Sequence, residues 1–264
     1  MSKRIDLTKR GLYSTGMFLV TIIFFYAPLL LLTIFSFNES KTMVWKGFSL
    51  KWYETFIYSS PQLWLAFEKS LLIALSSAFV STIIGTLGAI GLYRYSIKFK
   101  KPIELITLIP LLLPEIIMGV SLLIFFAGTG VKLGLFTIFL AHTTFCLPFV
   151  FLIMMSRLEE FDQSIIEAAY DLGAMETDVL FKIILPMSVP AIIASYLISM
   201  TLSLEDFVIT FFVAGPGATT LPLYIYSMIR FGVSPVINVL SVFIIVASVL
   251  LTLLTLRFSK YLFK

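Results

Sequence analysis

Charged residues, cysteine and histidine are all scarce in this sequence. Only 13% of its 264 residues are charged, whereas a soluble domain usually carries about 25%. Hydrophobic residues make up 59% of the chain, and the mean hydropathy is +1.02. This composition excludes an ordinary soluble domain and predicts an all-α protein that crosses a membrane several times.

The cysteine and histidine counts limit the possible chemistry. With one cysteine, Cys146, no disulfide can form within the chain. The one histidine, His142, lies in an apolar segment that has no acidic neighbours. A metal site is therefore not expected, and a histidine hydrogen-bonded between packed helices is favoured. We find no set of catalytic residues and do not expect an enzyme.

The sequence also lacks a Walker A phosphate-binding loop. The glycine-rich stretch at Gly85, Gly88 and Gly91 has no preceding strand and no Gly-Lys-Ser/Thr ending. Gly85 and Ala89 instead form a small-xxx-small pair that permits close helix contact. The net charge of +4 comes from short basic clusters at the ends of apolar segments, which does not indicate nucleic-acid binding. We expect no cofactor on this chain. If the protein's activity is driven by ATP, the ATP binds another chain.

Six apolar segments are each near the ~20 residues that a transmembrane helix needs. The segments cover roughly 13–37, 70–93, 103–127, 134–156, 187–213 and 236–256. The first apolar run is much longer than the ~7–15 residues of a signal-peptide core, so we interpret it as an uncleaved anchor. A shorter semi-apolar segment at 219–232 is predicted to form a helix that does not span the membrane. The sequence thus predicts six transmembrane helices.

Lysine and arginine are distributed unequally between the two sets of loops. One set of loops is strongly basic; it consists of both termini and the segments 94–102 and 157–186. The loops on the opposite side, which include 38–69, have fewer basic residues. Because basic loops stay inside, both termini and the 157–186 loop are predicted to be cytoplasmic. The tryptophans Trp45, Trp52 and Trp64 of the outer loop fit either interfacial anchors or a docking surface for an extracytoplasmic protein.

The 157–186 loop carries a motif with fixed spacing. It reads Glu-Ala-Ala, three residues, Gly, nine residues and Ile-x-Leu-Pro, with the key positions at Glu167, Ala168, Ala169, Gly173, Leu185 and Pro186. We expect Asp162 to cap a first short helix and Gly173 to end it in a left-handed conformation. Thr177 is expected to cap a second short helix. The predicted inner stripe of the first helix is Ile165, Ile166, Ala169 and Leu172.

This motif resembles the EAA loop of ABC-importer permeases. Every fixed position of that family pattern is present in this sequence at the same spacing. The resemblance implies a type I ABC importer permease fold, with cytoplasmic coupling helices that contact a separate ATPase. It also implies three parts of the chain: a cytoplasmic tail, first transmembrane helix and outer loop (1–67), a permease domain with five transmembrane helices and the coupling loop (68–258), and a cytoplasmic tail (259–264).

Segments 205–213, 215–222 and 226–238 are similar to the PotC-type subunit of spermidine/putrescine importers. The resemblance implies a permease in the bacterial inner membrane that forms half of the translocation path of a polyamine importer. The implied partners are a second, PotB-like permease, two PotA-like ATPase chains, a PotD-like polyamine-binding protein and the lipid bilayer, but no nucleic acid. One departure is Glu205, where the resemblance leads us to expect aspartate in many relatives; the charge is kept.

Glu115 lies inside the third predicted span, just after Pro110 and Pro114. At about 1.5 Å per residue of helix, it is expected near the middle of the membrane. An intramembrane carboxylate should face water or the interior of a bundle. We leave two interpretations open: a residue of the substrate path, or a structural carboxylate paired with a neighbouring helix.

Glu205 and Asp206 are adjacent acids in the outer half of the fifth predicted span. On one helix they point about 100° apart, so at least one is expected to face a cavity. No basic residue in a neighbouring span is an obvious partner, which favours a cationic substrate; the alternative is a hydrogen-bonded gate or a helix break. Phe207 and Tyr224 complete the predicted substrate path.

Two other functions remain open at this point. Permeases for iron or a sulfate-like anion share the architecture, although acidic residues in the path give an anion importer no advantage. A proton-coupled secondary carrier would keep the intramembrane acids but would have no use for the 157–186 loop.

Overall fold

The computed structural model describes residues 7–42, 44–95, 98–231 and 235–262, which are predominantly helical. The predicted termini at 1–6 and 263–264 lie outside these ranges, as does the end of the predicted 219–232 segment. The described residues form two compact units, one from residues up to 61 together with those from 227 onward, and one from 62–226.

The helices are numbered in chain order. They are α1 Leu7–Phe35, α2 Lys51–Tyr58, α3 Pro61–Arg94, α4 Lys100–Leu112, α5 Glu115–Thr129, α6 Leu135–Glu159, α7 Gln163–Asp171, α8 Glu176–Val179, α9 Leu185–Glu205, α10 Val208–Val213, α11 Leu221–Phe231 and α12 Val236–Leu262. A π-helical turn, Leu180–Ile184, joins α8 to α9.

The all-α membrane architecture is confirmed, but the count of six spans is not matched one for one. Within the described residues, four continuous helical stretches are long and apolar enough to cross a membrane, and a bent pair brings the number to five. The four are Tyr13–Phe35, Pro61–Arg94, Leu135–Glu159 and Glu176–Glu205. The sixth predicted span corresponds to α12, of which Val236–Leu250 qualifies only as a shorter apolar helix.

The third predicted span is broken rather than continuous. Helices α4 and α5 meet at 107°, and Leu113 between them is extended, with φ −81° and ψ 136°. Proline lacks an N–H and disfavours helical geometry at the residue before it, so Pro114 ends α4 at this point. Glu115 therefore begins α5 rather than occupying the middle of one straight helix.

The fifth predicted span is also interrupted. Helix α9 ends at Glu205, and Asp206 is extended with φ −64° and ψ 120°. The Asp206 carboxylate then accepts hydrogen bonds from the backbone N–H groups of Ile209 and Thr210, at 3.2 and 2.8 Å. These are free N–H groups of the first turn of α10, so Asp206 caps that helix and stabilises the break.

In the first unit, the loop after α1 is organised by Asn38 and Trp52. The Asn38 amide donates to two backbone carbonyls of its own loop, those of Thr42 and Val44. The indole N–H of Trp52 donates to the Asn38 carbonyl at 2.8 Å, and Trp52 is only 5% exposed. Of the two interpretations offered for the outer tryptophans, neither fits Trp52, because its ring is buried in its own unit.

In the second unit, α6 packs along α9 and two apolar clusters lie at different levels. One cluster joins α3 and α6 to the 157–186 loop, through buried residues that include Leu92, Met154, Ile166 and Val179. The other surrounds α5, α6 and α10. The two clusters place the polar loop near one end of the unit and the break at Asp206 near α5 and α6.

Candidate functional site

The first short helix of the 157–186 loop is built as its sequence predicts. Asp162 Oδ1 accepts a hydrogen bond from the backbone N–H of Ser164 at 3.0 Å, and hydrogen bonds from Ser164 lower the pKa of the Asp162 carboxyl. Gly173 follows the helix with φ 84°, a left-handed conformation that favours glycine. Both predictions are confirmed.

The prediction that Thr177 caps the second short helix is wrong. Helix α8 begins earlier, at Glu176, after the N-cap residue Met175. Asp178 Oδ2 accepts the backbone N–H of Met175 at 3.2 Å and thereby satisfies a free amide at this end. Lys182 lies 2.7 Å from the other oxygen of Asp178, and its hydrogen bond lowers the pKa of that carboxyl.

The predicted apolar stripe of α7 is only partly buried. Ile166 is 4% exposed and packs in the apolar cluster with Val179 and Ile184, and Ala169 is half-buried. Ile165, however, is 41% exposed and Leu172 is 89% exposed. One narrow face of the loop therefore anchors it to the helices, and a second apolar face is left uncovered.

The loop is also fastened to the end of α3 by three polar contacts. Gln163 donates to the hydroxyl of Tyr93, and Arg94 donates to the hydroxyl of Tyr170. The hydrogen bond between Tyr95 and Glu176 raises the pKa of the Tyr95 hydroxyl. Since these contacts involve both short helices, a displacement of the loop must also displace the end of α3.

The motif residues leave a mixed polar and apolar surface on the loop. Glu167, Ala168, Gly173 and Pro186 are exposed, while Leu185 is half-buried. The large side chains beside them are exposed too, with Leu172 at 89%, Met175 at 72% and Phe181 at 64%. We call Leu172, Met175 and Phe181 the apolar loop surface. Large exposed apolar side chains on a polar loop are typical of a protein interaction site.

A cavity of about 230 Å³ lies where the two broken spans meet. It brings together four of the five predicted substrate-path residues, and three apolar side chains complete its wall. The lining is Glu115, Glu205, Asp206 and Phe207, with Phe145, Leu202 and Val208. Glu115 and Glu205 are exposed, so two carboxylates are available to a cation that enters the cavity.

Asp206 also reaches the cavity wall, but unlike the adjacent Glu205 it is buried. Its side chain is 3% exposed. One oxygen, Oδ2, accepts the Thr210 hydroxyl at 2.7 Å and lies 3.1 Å from His142 Nε2. Together with the two backbone N–H groups of α10, these donors satisfy the carboxylate within the protein.

The inference that the acidic pair has no basic partner is therefore wrong for Asp206. His142 lies 64 residues away in sequence, so no local pattern connects the two. The usable signal was chemical: an intramembrane acid is expected to have an intramembrane partner, and this chain has one histidine. The prediction that His142 is hydrogen-bonded between packed helices is confirmed.

Tyr224 is the predicted path residue that the structure does not bring to this cavity. It is half-buried in α11 and is not part of the cavity wall. Tyr226, two residues later, has its ring centre 4.7 Å from that of Phe207. Phe207 of the cavity wall therefore contacts Tyr226, which the sequence reasoning did not assign to the path, as well as Phe211.

Comparison with known sequences identifies a family. The family model described as the binding-protein-dependent transport system inner membrane component matches residues 81–264. The chain is 41% identical to the spermidine/putrescine transport system permease protein PotC of Escherichia coli (strain K12), over 87% of each chain. It is 44% identical to the putrescine transport system permease protein PotI of the same strain, over 84% of this chain and 82% of that protein.

Comparison with solved structures supports the fold. A chain of a bacterial alginate ABC transporter, in complex with a periplasmic protein carrying an alginate pentasaccharide, matches with a TM-score of 0.74. It is 19% identical and covers 100% of this chain and 99% of its own. An inward-facing MetNI methionine ABC transporter matches with a TM-score of 0.63 at 21% identity, over 76% of this chain and 96% of its own. At these identities the likeness concerns the fold alone.

Proposed function

The chain belongs to the family of binding-protein-dependent transport system inner membrane components, and on that premise we propose that it is a permease subunit of an ATP-driven spermidine/putrescine importer. The observation that carries this proposal is the identity of 41–44%, over more than four fifths of the chain, to polyamine transport permeases. It is a transport subunit of the inner membrane and not an enzyme, since its relatives are permease proteins.

The cavity chemistry supports a cationic substrate. Glu115 and Glu205 supply two exposed carboxylates, and the cavity wall also contains the rings of Phe145 and Phe207. A polyamine carries ammonium groups joined by methylene chains, so carboxylates and apolar walls suit different parts of the same molecule. Moving such a charge through a low-dielectric passage without opposite charges would be prohibitive. Aromatic faces add a weaker cation–π attraction.

Members of this family work with an ATPase and a substrate-binding protein. We propose the finer assembly of a second, PotB-like permease, two PotA-like ATPase chains and a PotD-like polyamine-binding protein. The EAA-like motif and the apolar loop surface, Leu172, Met175 and Phe181, would contact the ATPase. The loop contacts with Tyr93, Arg94 and Tyr95 at the end of α3 support a route by which ATPase movement reaches the membrane helices.

The proposed transport cycle is alternating access. The binding protein delivers a polyamine to an outer mouth formed by this chain and the second permease. Closure of the ATPases moves the 162–185 helices and opens that mouth, and the polyamine leaves inward as the ATPases reset. This cycle requires the proposed orientation, with both termini and the 157–186 loop in the cytoplasm and 38–69 outside. We also propose the division into 1–67, 68–258 and 259–264.

Transport by the purified complex tests the proposal. The chain is reconstituted in proteoliposomes with the second permease, the ATPase and the binding protein proposed above, and uptake of radiolabelled spermidine and putrescine is followed. Uptake that requires ATP and is competed by unlabelled polyamine supports the proposal. Uptake driven by a proton gradient without ATP would indicate a secondary carrier. ATP-dependent uptake of sulfate or iron, with no polyamine uptake, would reject the polyamine assignment.

A further inference from the structure

A chain of hydrogen bonds runs through the second unit to the break between α9 and α10. Ser77 of α3 donates to Ser203 of α9, with 3.1 Å between the hydroxyl oxygens. His142 Nδ1 of α6 lies 2.6 Å from the Ser203 hydroxyl. The other ring nitrogen of His142 lies 2.8 Å from the Thr210 hydroxyl and 3.1 Å from Asp206 Oδ2. One imidazole thus joins the end of α9 to the start of α10.

In this series of hydrogen bonds, every donor can be matched with one acceptor. Because Ser203 accepts the proton of Ser77, its own hydroxyl proton is available to His142 Nδ1. Thr210 donates its hydroxyl proton to Asp206, so it accepts from His142 Nε2. His142 then carries its proton on Nε2 and leaves neither ring nitrogen unsatisfied. Ser203, His142, Asp206 and Thr210 are all at most 8% exposed, so water does not compete freely for these bonds.

The consequence concerns the two adjacent acids. Asp206 is held inside the protein by His142, Thr210 and the amides of α10, whereas Glu205 is exposed and lines the cavity. Glu205 is the last residue of α9, so the place where α9 ends determines where its carboxylate points. That end is set by the extended backbone of Asp206, and His142 bonds to both sides of it.

We propose that His142 is a positioning residue for transport, which holds Asp206 at the helix break so that Glu205 presents its carboxylate to the cavity. This proposal rests on the transport function proposed above. It assigns different roles to the two acids: Glu205 contacts the substrate cation, and Asp206 anchors the break. Without the imidazole, a buried carboxylate would lose a donor and Ser203 would lose its acceptor, so the break and Glu205 would be free to shift.

The test measures how accessible residue 205 is to a reagent in the cavity. In the assembled complex in lipid nanodiscs, with Cys146→Ser as background, Glu205→Cys provides a thiol whose rate of modification by a small cationic thiol reagent is measured. We expect His142→Leu, which removes the contacts with Ser203, Thr210 and Asp206, to change this rate at least fivefold. His142→Gln keeps an amide donor on a flexible side chain, and we expect it to restore the parental rate within twofold. Equal rates in all three backgrounds would overturn the proposal.

A second variant covers the case in which His142→Leu does not assemble. Ser203→Ala removes the partner of His142 Nδ1 with a small change in volume, and we expect at least a twofold change in the modification rate of the Glu205→Cys thiol. An unchanged rate in that variant would also overturn the proposal. The labelling needs no substrate, so it remains informative if the complex fails to import polyamines. That failure would reject the proposed function alone.

Discussion

Arg94, the last residue of α3, donates a hydrogen bond to the hydroxyl of Tyr170 in α7, and its guanidinium carbon lies 5.7 Å from the centre of the Tyr170 ring. Near the other end of α3, Lys69 donates to the Gly217 carbonyl at 2.6 Å, and Ser70 accepts the backbone N–H of Leu221 at 2.7 Å. From Ser70 to Arg94 the helix rises about 36 Å. One continuous helix therefore contacts the 157–186 loop at its last residue and the turn before α11 in its first third.

The first prediction concerns the Arg94–Tyr170 contact. Tyr170→Phe removes the hydrogen bond but keeps the ring below the guanidinium, and we expect uptake to fall by about fivefold, corresponding to roughly 1 kcal/mol. Tyr170→Ala also removes the cation–π contact and should lower uptake further. Uptake and binding-protein-stimulated ATP hydrolysis are measured at matched membrane expression. Tyr58→Phe is the control, because this tyrosine is 83% exposed. Parental uptake in both Tyr170 variants would contradict the prediction.

The second prediction uses the left-handed backbone at Gly173. A Cβ built there meets no atom within 4 Å, so space is not the constraint, but φ of 84° strains a β-branched residue. Gly173→Val should therefore distort the loop between α7 and α8, with a loss of uptake of at least about tenfold while the subunit still inserts. Gly173→Asn is the matched control, because asparagine tolerates this conformation. The prediction fails if valine and asparagine support the same uptake and the same stimulated ATPase activity.

How much the sequence predicted depends on whether the signal was local. The Asp162 cap and the left-handed Gly173 follow from a few neighbouring residues, and both were predicted. The break at Pro114 had a local cause too, but the angle between α4 and α5 depends on packing that the sequence does not state. The pairing of His142 with Asp206 joins residues 64 positions apart, and no periodicity or spacing reveals such a contact.

The third prediction concerns close backbone approach in the turn after α10. A Cβ at Gly215 would lie 1.9 Å from the carbonyl oxygen of Leu133, and a backbone oxygen has little freedom to move. Gly215→Ala should therefore destabilise the subunit by at least the ~1–3 kcal/mol typical of overpacking. Thermal unfolding of the purified complex should shift downward by at least about 3 °C.

A glycine of α5 provides the control for that measurement. A Cβ at Gly128 meets no atom within 4 Å, and alanine is the better helix former by roughly 1 kcal/mol. Gly128→Ala should leave the unfolding temperature unchanged or raise it. If Gly215→Ala unfolds at the same temperature as Gly128→Ala, the close approach to Leu133 does not constrain the turn.

The fourth prediction tests the orientation of the chain. In the Cys146→Ser background, a cysteine is introduced by Lys41→Cys in the outer loop or by Asp171→Cys at the end of α7; both positions are exposed. Since basic loops stay inside, a membrane-impermeant thiol reagent should label intact cells only at position 41. Permeabilised cells should be labelled at both positions, which shows that each thiol is reactive. Labelling at position 171 in intact cells would contradict the predicted orientation and place the 157–186 loop outside.

The last prediction separates the three acids of the cavity. Glu205→Gln and Glu115→Gln each remove an exposed charge at nearly constant volume, and we expect each to lower polyamine uptake by at least about tenfold, or ~1.4 kcal/mol. Asp206→Asn keeps one oxygen as acceptor for the α10 amides but adds an N–H₂ group in a site that already supplies donors.

The three variants should differ in how the loss depends on substrate charge. Glu205→Gln and Glu115→Gln should impair spermidine more than putrescine, because spermidine carries one more ammonium group and gains more from each carboxylate. Asp206→Asn should impair both substrates to the same degree and lower the thermal stability of the complex, since its role is to hold the helix break. Uptake of both polyamines and thermal unfolding are measured for each variant at matched expression. A charge-dependent loss in Asp206→Asn, with parental uptake in Glu205→Gln, would place the substrate cation at Asp206 and exchange the two roles.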